Sequence, residues 1–272
     1  MPMGMGEPGM DRKKWLAFSC PHCPHHDADA IHWLERQIHN ARPDVLVHLG
    51  DGHEGDATSR FTDESIHNLL DEYQQHNALL GQLRKAAGNR CRLVFCEGNH
   101  DANIGAKDRL DPRIRELVDY RRHEPELRHW KVIPYLNDAN AGCYRIGQVS
   151  FTHGFEVSRA GIRRDQLTFT REFGLLIHGH THRPTPDGPP ERLLWGDYPV
   201  NWWRANPGCM RDLKPDYMSR RNTQRWGQGC VVGTAAPLKS PRARPEWSCE
   251  TRVYRSYDQW APQAIKKGLV RC

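Results

Sequence analysis

Gly98-Asn99-His100-Asp101 closes the apolar run Leu93-Val94-Phe95-Cys96, and the reading of this stretch decides the fold. An apolar run that stops at a glycine reads as a buried strand running into a loop. The loop then presents an amide oxygen, an imidazole and a carboxylate at consecutive positions, a trio suited to metal ligation or phosphate chemistry. By itself, Asn-His-Asp also makes an ordinary polar turn. Other strand ends in the chain carry the same kinds of group, and together they favour the chemical reading.

Residues 15–19 read as a first strand that runs into Cys20-Pro21-His22-Cys23-Pro24-His25-His26-Asp27, where two prolines forbid regular structure. Ile31, Leu34 and Ile38 then recur at helical spacing, with Pro43 just beyond. Residues 44–49 form a strand apolar enough to be buried on both faces, ending in Gly50-Asp51-Gly52-His53-Glu54. The next helix has Thr62 as N-cap and an apolar stripe through Ile66, Leu69, Leu70, Tyr73, Asn77, Leu80 and Leu83, and stops at Gly88. The order β-α-β-α-β places ligand-type residues at the C-terminal edge of a sheet, where sites gather in α/β proteins. Asp111-Pro112 opens another helix through Ile114, Leu117 and Val118, and residues 132–136 form a strand. A hairpin over residues 143–152 leads into His153-Gly154. A short helix at 166–172 precedes the strand Leu175-Leu176-Ile177-His178, which ends in Gly179-His180-Thr181-His182. Later signals are weaker: a turn at Asn206-Pro207-Gly208, and strands at 229–233 and 251–254.

The 272 residues suffice for one large or two small domains. No run of 18 apolar residues exists, which excludes a helical membrane span. Residues 1–12, rich in Met, Gly and Pro, lack the order of a secretion signal and read as a disordered leader. Nine cysteines without a framework spacing point to free thiols in a reducing cytoplasm. The net charge of +6 is uneven: from Arg183 onward there are 16 Lys/Arg against 8 Asp/Glu, together with six of the nine tryptophans. Such a segment is either a nucleic-acid surface, for DNA or RNA, or a solvated basic face over a local tryptophan core. Residues 13–210 are expected to form the core. Residues 211–272 are expected to pack on it as a basic, aromatic cap or extension, too irregular for a domain of their own.

Collected from five strand ends, Cys20, His22, Asp51, Asn99, His100, His153, His180 and His182 supply enough ligands for two cations if Asp51 bridges them. Mixed carboxylate, imidazole and amide ligands suit Mn, Fe or Zn better than Ca or Mg. Two such cations can hold a bridging hydroxide and clamp a phosphoryl group for in-line attack.

The ordered set Cys20-Pro21-His22, Gly50-Asp51-Gly52-His53-Glu54, Gly98-Asn99-His100-Asp101, His153-Gly154 and Gly179-His180-Thr181-His182 resembles the five motifs of the calcineurin-like metallophosphoesterases. Asn206-Pro207-Gly208 looks like that family's Asn-Pro-Gly, and the stretch from there to Trp226-Gly227 looks like bacteriophage-encoded members. The resemblance implies a four-layer α/β/β/α sandwich. It implies that Cys20, His22, Asp51 and His182 hold one metal, and that Asp51, Asn99, His153 and His180 hold the other. It places His100 beside the metals as the group that protonates the leaving oxygen, with Glu54 as the carboxylate orienting it. Cys20 stands where the family usually has Asp. Either its thiolate ligates, tilting that site toward Zn or Fe(II), or the first site is weak. Gly55 replaces the arginine of the protein-phosphatase branch, which argues against a phosphoprotein phosphatase. The expected activity is therefore a metal-dependent phosphodiesterase acting on nucleic acid or nucleotides. The alternatives are a small-molecule phosphodiesterase or phosphomonoesterase, and a non-catalytic scaffold on the same fold.

Overall fold

The computed structural model describes residues 12–55, 68–110, 118–170, 173–195, 198–214, 223–237 and 246–256. Two sheets face each other. The first has the order β11-β10-β1-β2-β3-β4, from β1 (Lys13–Phe18), β2 (Val45–His48), β3 (Arg92–Cys96), β4 (Trp130–Ile133), β10 (Gly227–Ala235) and β11 (Trp247–Ser256). The second has the order β5-β6-β7-β9-β8, from β5 (Tyr144–Ile146), β6 (Val149–Thr152), β7 (Leu175–His178), β8 (Glu191–Trp195) and β9 (Tyr198–Ala205). Strands β1 to β4 are mutually parallel, as are β6, β7 and β9.

The period-two alternation of a strand divides β1, β2 and β3 between two cores. Leu16, Phe18, Leu46, Leu93 and Phe95 face α1 (Ala28–Ala41) and α2 (Leu69–Ala87). Trp15, Ala17, Val45, Val47, Val94 and Cys96 face Val149, Phe151, Leu175, Ile177 and Ala205 of the second sheet. On that sheet's far side, Leu176 packs with Phe169 at the end of α5 (Arg159–Phe169). The layers are therefore α/β/β/α, the expected sandwich.

Local differences from the sequence reading have physical causes. Asn99 does not lie in a loop: it opens α3 (Asn99–Leu110), a helix without an apolar stripe to announce it. Helix α2 is capped by Asn68 and buries Glu72 and His76 beside Tyr73, Leu79, Leu80 and Leu83, while Leu70 is exposed. Thr62 and Ile66 lie outside the described residues, as do Asp111-Pro112, Ile114 and Leu117 and most of residues 1–12. A single turn, α4 (Tyr120–His123), and a 3-10 turn (Pro125–His129) lead into β4. Helix α5 starts at its Ser158 cap, upstream of the expected 166–172. The first sheet continues beyond residue 210, because β10 pairs antiparallel with β1 along Lys13–Ala17 and β11 pairs with β10.

Phe151 is fully buried and meets Trp15 edge to face at 5.1 Å between the sheets. Phe151→Ala is expected to cost about 3–5 kcal/mol in urea unfolding. Leu70→Ala, at a site 43% exposed, should cost less than about 0.5 kcal/mol.

Candidate metal centre

Cys20, His22, Asp51, Asn99, His100, His153, His180 and His182 all stand within four residues of the end of β1, β2, β3, β6 or β7. The connections at these ends are bound to one another. Cys20 N–H donates to the Gly50 carbonyl and His22 N–H to the Asp51 carbonyl, both at 3.0 Å, and Gly179 N–H donates to the His153 carbonyl at 2.9 Å. Among the described residues, seven non-glycine residues have positive φ, and five of them are Cys20, His22, Asp51, His180 and His182. Each such residue carries about 1–3 kcal/mol of strain, which persists only where the surroundings over-determine it. Asp101 supplies part of that determination: its carboxylate accepts the N–H groups of Asp51, Gly52, His53 and Gly98 at 2.8–3.2 Å. Gly98 must lack a side chain, since a Cβ there would lie 2.2 Å from Asp51 Oδ1.

The side chains converge in two groups that share Asp51. In the first, His22 Nε2 lies 3.0 Å from His182 Nε2 and 3.6 Å from Asp51 Oδ2, with the Cys20 thiol in the same cluster. In the second, His153 Nε2 lies 3.1 Å from each of Asp51 Oδ2, Asn99 Oδ1 and His180 Nδ1. His153 Nδ1 donates to the Leu49 carbonyl at 2.6 Å. At most one Nε2 proton then faces the Asp51 and Asn99 oxygens and the His180 ring nitrogen, whereas a cation would satisfy all of them. Metal bonds of about 2.0–2.2 Å set neighbouring ligand atoms at right angles about 3 Å apart, which matches these spacings. Burial holds His182 and His22 below the usual imidazole pKa and brings His180 down to about 4, so all three favour the neutral form that ligates. Burial, and then the charge of Asp51, raise the Cys20 thiol; only a cation would make a thiolate stable there. The donors of each group therefore fit a divalent metal ion.

His100 sits against both groups. Its N–H donates to Asp51 Oδ1 at 3.0 Å, its Nδ1 meets the Glu54 backbone carbonyl at 2.5 Å, and its ring stands edge to face with His22 at 4.7 Å. Burial opposes its charged form, but Asp51 and Glu54 prevail and its pKa is raised. The Glu54 carboxylate groups with both His22 and His100, a ring nitrogen of each lying within 4.8 Å of it. Glu54 Oε2 lies 2.7 Å from His22 Nδ1 and accepts from Arg211 at 2.9 Å. Cys23 is fully buried in the core against α1 and α2 and belongs to neither group, and its N–H donates to the Gly52 carbonyl at 2.8 Å.

The sequence reading also missed a buried relay beneath Asp51. His53 Nδ1 meets Asp101 at 2.7 Å, His53 Nε2 meets Glu124, and the other Glu124 oxygen meets His76 Nδ1 at 2.7 Å. Burial alone would discharge His53, but Glu124 and Asp101 raise its pKa to about 10. Burial likewise opposes the Asp101 carboxylate, but His53 and the backbone donors bring its pKa down to about 2. The spacing of His53, His76 and Glu124 follows no pattern a sequence displays, since they come from a loop, a helix and a turn.

The model of the calcineurin-like phosphoesterase family matches residues 13–203, and the chain belongs to that family. Solved structures similar to it include Yfce, a phosphoesterase from E. coli, at 13% identity and TM-score 0.41, covering 82% of this chain and 91% of that one. Vacuolar Protein Sorting 29 from Cryptosporidium parvum is similar at 13% identity and TM-score 0.42, covering 89% and 98%. TT1561 of Thermus thermophilus is similar at 12% identity and TM-score 0.38, covering 89% and 99%. No curated protein matches the chain in sequence. Among the described residues, no helix is long and apolar enough to cross a membrane.

Because the folded-state pKa of His53 is raised, its contribution to stability is complete below about pH 6.5 and is lost as pH rises through about 10. The lowered pKa of Asp101 contributes above about pH 4 and is lost as pH falls toward 2. His53→Gln should cost about 3–5 kcal/mol near pH 6, as expected for breaking a buried pair. Urea titrations should show that gap closing as the pH approaches 10.

Proposed function

We propose that the chain acts as a metal-dependent phosphoesterase, a reading that family membership and the two ligand groups support. We propose, more specifically, that the chain hydrolyses phosphodiesters of nucleic acid or nucleotides at a centre of two Mn, Fe or Zn ions. The observation that carries this reading is the pair of ligand groups sharing only Asp51, with His100 anchored against that same carboxylate. Two bound cations would polarise the phosphoryl group and activate a water for in-line attack. The chain's own residues supply the rest. Asp51 holds negative charge between the two groups. His100, whose Nδ1 is fixed by the Glu54 carbonyl, keeps Nε2 for donating a proton to the leaving oxygen, favoured by its raised pKa.

The preference for nucleic acid rests on the basic C-terminal third. Its tryptophans do not add to that support, since several have structural roles. Trp226 packs in the cluster with Cys20 and Cys209, and Trp203 and Trp247 pack on the core between the sheets. Arg252 and Arg255 bond Gln37, Glu250, Asp27 and Asp29. Charge, rather than stacking, is therefore the testable term.

Elemental analysis of wild type should find about two ions per chain, and a chelator should abolish hydrolysis of bis-p-nitrophenyl phosphate. His100→Gln is expected to lower kcat about 10²–10⁴-fold with metal content unchanged. Hydrolysis that survives complete metal removal would overturn the reading. Oligonucleotide affinity should fall steeply between low and moderate salt, whereas nitrophenyl ester hydrolysis should respond weakly. A weak response for both points instead to a small-molecule substrate.

A further inference from the structure

Arg211 is a guanidinium with 2% exposure. It arrives from the segment after β9, and its position follows from backbone bonding rather than from chance packing. Met210 N–H donates to the Cys20 carbonyl at 3.1 Å, Asp27 N–H donates to the Met210 carbonyl at 2.9 Å, and Gln228 Nε2 donates to the Arg211 carbonyl at 2.9 Å. The segment therefore lies along the Cys20–Asp27 loop. The guanidinium carbon stands 5.6 Å from the centre of the Trp226 ring, and Trp226 meets the His182 ring edge to face at 4.3 Å.

A buried arginine near a phosphoester site has two possible uses, and burial decides between them. A phosphate clamp must be reachable by substrate, and Arg211 is not. Its Nη1 instead donates to Glu54 Oε2 at 2.9 Å, the same oxygen that lies 2.7 Å from His22 Nδ1. The Glu54 carboxylate therefore lies behind His22, at Nδ1, while Nε2 on the other side of the ring faces His182 and Asp51. A carboxylate behind a ligating histidine fixes its tautomer and orientation and raises its basicity.

We propose that Arg211 is a positioning residue: through Glu54 it fixes the His22 ring for the first metal and leaves the second metal untouched. The inference rests on the two-metal reading above. Its origin in the C-terminal third makes that third part of the metal site.

The test titrates Co(II) into metal-free wild type, Arg211→Met, Arg211→Lys and Glu54→Gln, by calorimetry and by visible absorption. Cys20 belongs only to the first group, so the thiolate-to-cobalt charge-transfer band reports that site alone. Arg211→Met and Glu54→Gln should weaken the site carrying the thiolate band about 10–100-fold, with the second affinity at the wild-type value. Arg211→Lys should recover part of the loss. Thermal melts identify any variant that has merely lost its fold, and Glu54→Gln then carries the test if Arg211→Met does not fold. Wild-type affinity at both sites in folded Arg211→Met and Glu54→Gln, or equal weakening of both sites, would overturn the proposal. Wild type that binds no Co(II) would instead overturn the two-metal reading itself.

Discussion

The carboxylate of Asp51 is the constraint on which the site depends. It is 1% exposed, sits in a left-handed backbone conformation and lies among His22, His100 and His153. An ionised carboxylate out of water costs several kcal/mol unless it is paired and hydrogen-bonded. Here burial opposes ionisation, but the surrounding imidazoles prevail and hold its pKa well below the usual range. The N-terminus of α3 adds its own donor, the His100 N–H. Each compensation requires another. The Asp51 N–H needs Asp101, Asp101 needs His53, His53 needs Glu124, and Glu124 is held in turn by His76 of α2. A line of polar pairs thus runs from the candidate metal site into the helical layer.

This explains why so much of the site was legible in the sequence. Metal chemistry restricts residue types, and parallel strands deliver those types at their C-terminal ends, so Asp51, Asn99, His100, His153, His180 and His182 announce themselves by position after an apolar run. The same strands were legible because both their faces are buried. The support beneath the site was not legible. His76 and Glu72 interrupt the apolar stripe of α2 and look like solvated residues, yet both are buried. Strands β8 and β9 carry too many tryptophans and arginines to alternate cleanly. The orientation of Glu54 toward His22 depends on Arg211, 157 residues away, and no local pattern encodes that distance.

Composition also suggested a division near residue 210 that the sheet does not respect. Without β10, β1 would be an exposed edge, and an unpaired edge strand is a liability in any sheet. The pairing of β10 with β1 removes it. The chain between β9 and β10 then has to pass the end of β1, which is where Cys20 and His22 stand. Ser19 Oγ donates to the Gly208 carbonyl at 2.6 Å, and Gly227 N–H donates to the His182 carbonyl at 3.0 Å. Proximity to the first ligand group follows from the topology.

That topology bears on how a charged substrate could be received. Arg211 and Trp226 belong to the braced wall of the first ligand group, and Arg252 and Arg255 are tied to α1 and its cap through Gln37, Asp29 and Asp27. The basic residues of β11 therefore ride on the same sheet that carries β1 and β2, the strands whose ends lead to Cys20, His22 and Asp51. A polyanion drawn by this charge would meet the ligand groups at a fixed offset, so its register would be set by the fold rather than by a hinged arm. Rigid presentation of this kind lowers the ordering cost of binding.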